Sequence, residues 1–84
     1  MKGEIKMVLT AYGMNYHTGE MFVKTYRKHT VSGARLDLLN NYIRKSKLAK
    51  VGQVCHITVV LGYPLDCDIE TVLKYSHASV IYDI

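Results

Sequence analysis

Long apolar runs are missing from this chain. No run exceeds three residues, as in Val59-Val60-Leu61, far short of the roughly 20 residues that a membrane-spanning helix needs. Cysteine is scarce too: only Cys55 and Cys67 occur, and the start has no secretory leader pattern because Lys6 and Thr10 interrupt its apolar residues. Two reduced thiols in a cytoplasmic protein are therefore expected, rather than a disulfide scaffold. No Cys-x-x-Cys spacing exists, and the adjacent Cys55 and His56 point to opposite faces if they lie on a strand, which argues against zinc. Gly13, Gly19 and Gly33 are isolated, so neither the Walker nor the dinucleotide phosphate loop is present. Repeats, low-complexity tracts, an RNP-type aromatic signature, a helix-turn-helix and a zinc finger are also absent. No cofactor is implied.

Acidic residues are few in one part of the chain. Residues 1–50 hold ten Lys and Arg against Glu4, Glu20 and Asp37, a net +7, whereas residues 51–84 hold Lys74 against Asp66, Asp68, Glu70 and Asp83, a net −3. Such a split points to a positive binding surface. Tryptophan is absent and phenylalanine occurs once, against seven tyrosines. Tyrosine combines apolar area with a hydrogen-bonding hydroxyl and suits an interface.

With 84 residues, 49% hydrophobic and 21% charged, the composition is that of one globular domain. Residues 4–12 alternate as Ile5, Met7, Leu9 and Ala11 against Lys6, Val8, Thr10 and Tyr12, the period of a half-buried strand. A second strand is expected over 20–30, reached through turn residues 15–19. Ser32 reads as the cap of a helix to Leu48, with Leu36, Leu38, Leu39, Tyr42 and Ile43 on its apolar stripe and Gly52 as the exit. Residues 54–63 read as a central strand closed by Gly62 and Pro64. Asp66 then caps a helix with Ile69, Val72 and Leu73 buried and His77 near its end, and 79–84 forms the last strand. The fold class expected is α+β, a single two-layer domain in the order β-β-α-β-α-β. Its sheet is four-stranded and mixed, with two helices on one face.

In that arrangement the open face displays Lys6, Val8, Tyr12, Phe22, Lys24, Tyr26, Lys28, His56, Thr58 and Ile81. Cations for phosphates and rings for bases are how several single-strand binders work. The candidate nucleic-acid or anion-binding residues are accordingly Lys24, Tyr26, Arg27, Lys28 and His29, extended by Arg44, Lys45 and Lys47 at the helix end. Lys50 belongs to the same charge run, which also complements the negative end of a helix dipole.

No motif names a reaction. His17, His29, His56 and His77 are scattered over turn, strand and helix end, with no local pairing to a nucleophile or carboxylate. The sequence reads as a small basic binding protein for nucleic acid or another phosphate-bearing ligand. One rival reading is a protein-binding module, an inhibitor or adaptor, and under either reading a homodimer or higher homo-oligomer is expected, because the open face exposes Val8, Phe22, Val60 or Ile81. The enzyme alternative is a small ribonuclease built on His29 or His56 with Arg27 and Lys28.

Overall fold

The computed structural model describes residues 8–27, 29–64, 67–75 and 79–84. Strand positions 4–7, the candidate ligand Lys28, the expected cap Asp66 and His77 lie outside the described residues. The elements are β1 (Val8–Asn15), β2 (Met21–Arg27), α1 (Val31–Asp37), a π-helical segment (Leu38–Arg44), β3 (Val54–Leu61), α2 (Ile69–Tyr75) and β4 (Val80–Asp83). They form an α+β fold on one four-stranded sheet, ordered β2-β1-β3-β4.

Every neighbouring pair in that sheet is antiparallel, not mixed as expected. Strands β2 and β3 flank β1 and so run the same way, but β1 lies between them and no parallel ladder forms. The hairpin joining β1 to β2 is closed by Gly19 N–H donating to the Asn15 carbonyl at 2.8 Å, with Gly19 in the left-handed region at φ 75°.

The two helices cover opposite faces of the sheet, which corrects the two-layer expectation. Leu9, Ala11, Cys55, Ile57 and Val59 meet Ala34, Leu38, Leu39 and Ile43 on one side. On the other, Tyr12, Met14 and Val60 meet Ile69, Val72 and Leu73 of α2. Chirality rules constrain crossovers between parallel strands, but α2 joins β3 to its antiparallel neighbour β4, so no such rule sets its side. Among the described residues no helix is long and apolar enough to cross a membrane.

The phase of β2 is also the reverse of the sequence expectation. Phe22 and Tyr26 are buried beneath the first helix, at 3% and 4% exposure, while Met21 and Val23 are exposed on the α2 side. The register explains it, because Tyr26 pairs with Leu9 and Lys24 with Ala11, both on the side of the first helix.

Thr30, not Ser32, caps α1, its Oγ1 accepting from Gly33 N–H at 2.9 Å. Beyond Asp37 the helix widens to π geometry, whose backbone bonds span five residues instead of four. Leu38 and Ile43 thereby share the buried face, and Leu36, expected in the stripe, is left 46% exposed. Gly13 faces this packing, and a Cβ there would make ordinary van der Waals contact, 3.4 Å from Leu38 Cδ2 and 3.5 Å from Ile43 Cδ1. In α2 the cap is Asp68, whose Oδ1 accepts from Thr71 N–H at 2.7 Å.

Candidate anion-binding site

The chain leaves the first helix earlier than Gly52. Lys47 adopts a left-handed φ of 56°. Its N–H donates to the Arg44 carbonyl at 3.1 Å, and Leu48 N–H donates to the Ile43 carbonyl at 2.9 Å. These two bonds define a Schellman closure, with Lys47 in the position that glycine usually fills. A side chain there costs about 1 kcal/mol relative to glycine.

Beyond this closure the segment folds back on the end of the sheet. Asn15, fully buried at the end of β1, donates Nδ2 to the Leu48 carbonyl at 3.2 Å and to Gln53 Oε1 at 3.1 Å. Gln53 Oε1 also accepts Lys50 N–H at 2.8 Å, and Asn15 Oδ1 accepts His17 N–H at 2.9 Å. A buried amide with its hydrogen bonds made is a rigid anchor. Arg44 fixes the opposite wall by donating Nη1 to Asn40 Oδ1 and Nη2 to the Asp83 carbonyl, each at 3.1 Å.

Between these walls lies a cavity of about 570 Å³ lined by Arg44, Lys47, Ala49, Lys50, Val51 and Ile84. Three cations surround it, and among the described residues no Asp or Glu lines it. Its interior is chiefly carbon, from the lysine stems and from Ala49, Val51 and Ile84. Val51 is 92% exposed. Three like charges around one cavity repel each other, and a bound anion would relieve that repulsion.

Only part of the sequence-derived site meets here. Arg44 and Lys47 line the cavity, while Lys45 is exposed next to them without lining it. Lys24 lies elsewhere, 3.9 Å from Asp37 Oδ2 and over the rings of Tyr26 and Tyr42 at 5.3 and 5.8 Å. Arg27 donates Nη2 to the Tyr63 hydroxyl at 3.1 Å and lies over that ring. His29 donates Nδ1–H to the Arg27 carbonyl at 2.9 Å. Arg27 pairs with Val8 at one end of β1, and the cavity is tied to Asn15 at the other. The eight residues of β1 separate the two clusters by about 24 Å at the usual strand rise.

Tyr26 offers no stacking surface. Its buried hydroxyl makes no hydrogen bond of acceptable geometry, although Asp37 is near enough to act on it. Burial first, and then the Asp37 carboxylate, push its pKa well above the ordinary tyrosine value. The Asp37 carboxyl is held below its ordinary range, first by Asn41 Nδ2 donating to it at 2.6 Å and then by Tyr26.

On the other face a smaller cavity of about 210 Å³ is lined by Met14, Tyr16, His56, Glu70, Leu73 and Lys74. The Tyr16 hydroxyl and His56 Nδ1 share a 2.9 Å hydrogen bond, and their rings stack at 5.6 Å. Burial lowers the His56 pKa. His56 pairs with Met14 and Arg27 with Val8, about 20 Å apart along β1. The His56 and Arg27 pair of the ribonuclease alternative is therefore not brought together. Cys55 is buried and Cys67 exposed, both as free thiols. No group of three or more metal-ligating side chains occurs among the described residues.

Sequence reasoning missed Asn15, Gln53, Ala49, Val51 and Ile84 as parts of the site. Their only signal is proximity in the fold, since the Asn15 to Gln53 contact spans 38 residues of sequence. Comparison with known proteins supplies no relative: no family model, curated protein or solved structure matches the chain.

Proposed function

We propose that this is a small non-enzymatic binding protein for a phosphate-bearing ligand, with nucleic acid as the ligand class. The observation that carries this reading is the convergence of Arg44, Lys47 and Lys50 on one cavity that no Asp or Glu lines among the described residues. Phosphate contacts of this kind supply sequence-independent affinity, weakened by salt as released counterions accumulate. The +7 carried by residues 1–50 adds long-range attraction for a polyanion. Titration of fluorescent RNA and DNA by anisotropy at about 50 and about 200 mM salt tests the reading. Lys47→Ala and Lys50→Ala should each flatten the slope of log affinity against log salt by about 0.7–0.9. Absence of binding at the lower salt would reject it.

A second reading, a protein-binding module that self-associates, is supported by β2, which among the described residues pairs with β1 alone and so lies at the edge of the sheet. Met21 and Val23 are 38% and 46% exposed there, and Ile81 on the other edge strand is 59% exposed. Unpaired edges and apolar positions of this kind favour pairing with another chain. Light scattering on a size-exclusion column tests it. A strict monomer at high micromolar concentration rejects self-association.

A further inference from the structure

The cavity at Arg44, Lys47 and Lys50 has more apolar surface than a phosphate group can use. A phosphate is satisfied by cations and N–H donors, yet the interior here is formed by Ala49, Val51, Ile84 and the aliphatic parts of the basic side chains. Its volume of about 570 Å³ is in the usual range for small-molecule sites, which are mostly apolar with a few placed polar groups, although the pocket is open and leaves one side of an occupant in water. Val51 leaves nearly its whole side chain in water, an apolar surface that gains by being covered.

Resting on the phosphate-binding reading above, we infer that the cavity takes one unstacked base of a single strand, with the flanking phosphates held by Arg44, Lys47 and Lys50. Charge complementarity selects the occupant: an apolar planar group bracketed by anions matches an apolar floor bracketed by cations. A duplex keeps its bases in the stack and must break pairing to fill the cavity. The protein therefore favours single strands, and the preference resides in the base rather than in the backbone.

The Schellman closure fixes where Lys47 stands at the cavity. Lys47 holds a left-handed backbone at φ 56°, a conformation glycine adopts without cost. The side chain carried at this position is one of the three cations at the cavity.

The test compares three probes of equal length by anisotropy at low salt: a single-stranded oligonucleotide, the same strand with abasic sites throughout, and the duplex. The intact single strand should bind about tenfold more tightly than the abasic strand, the effect of covering roughly 55 Å² of apolar surface, with the same salt slope for both. Val51→Ser, at a position too exposed to affect folding, should remove that ratio and leave the slope unchanged. Lys50→Ala should flatten the slope and keep the ratio. Equal affinity for intact and abasic strands overturns the base site while leaving the phosphate-binding reading intact. Failure of all three probes to bind overturns both.

Discussion

Leu48 donates its backbone N–H to the Ile43 carbonyl oxygen at 2.9 Å, closing the first helix around a left-handed Lys47. Glycine is the usual residue at that position because it has no Cβ to clash. Lys47→Gly should therefore stabilise the protein by up to ~1 kcal/mol, read as a higher urea midpoint with unchanged m-value. Lys47→Ala keeps a Cβ and should show no comparable gain. Both remove the charge, so both should weaken nucleic-acid binding. A stable Lys47→Gly variant that binds as well as the parent would refute the role given to this lysine.

Tyr26 was a natural choice for a base-stacking ring, and its burial beneath the first helix removes it from that role. Its hydroxyl makes no hydrogen bond of good geometry, so its interaction with the Asp37 carboxylate is set against a cost of about 1–3 kcal/mol for an unsatisfied buried polar group. Tyr26→Phe deletes that group while keeping the ring. Thermal or urea unfolding should show stability unchanged or raised, and oligonucleotide affinity should be unaltered. Loss of binding without loss of stability would return Tyr26 to the site.

The contrast between β1 and β2 shows what could be read from sequence and what could not. Along β1 the small or aliphatic positions Leu9 and Ala11 define one face, and the structure buries them there. The α2 stripe of Ile69, Val72 and Leu73 was similarly legible. In β2 both alternating sets, Met21-Val23-Thr25 and Phe22-Lys24-Tyr26, mix apolar with polar residues, so local pattern does not fix the phase. It is set by pairing with β1 and by the pocket that Phe22 and Tyr42 fill, edge to face at 6.1 Å. Leu36 was misplaced because the helix changes period at Leu38, a switch to π geometry with no residue-level signature. For the site, the run from Arg44 to Lys50 was visible as charge. Its cavity was not, because one wall comes from Ile84, beside β4, and its anchor from Asn15 in β1.

His56 gives stability a pH dependence of definite sign. Burial lowers its folded pKa from the ordinary 6.5, so the native state resists a proton that the unfolded chain accepts. Stability is then full above that value and falls as pH drops below it, levelling off once the folded form protonates. The Asp37 and Asp68 carboxyls, lowered from 3.8, lose their contribution in a more acidic window. His56→Gln should flatten the decline in melting temperature between about pH 7 and 5. An identical decline in parent and variant would mean that His56 is not its source.

Asn15 should govern binding without touching the ligand. It lies at the closed end of the sheet, where its amide donates to Leu48 and Gln53 and accepts from His17. Replacement by Ala would leave buried partners unmatched, at a cost of about 1–3 kcal/mol. The effect should reach the cavity because Gln53 Oε1 also holds the backbone of Lys50 at 2.8 Å. Asn15→Ala should thus lower the urea midpoint and, under conditions where the protein remains folded, raise the dissociation constant for single strands. The salt slope tells which link has failed: a flatter slope means Lys50 has lost its phosphate, whereas an unchanged slope with a lost preference over the abasic strand means the apolar floor has opened. Full affinity in a folded Asn15→Ala protein would show that the cavity keeps its shape without this anchor.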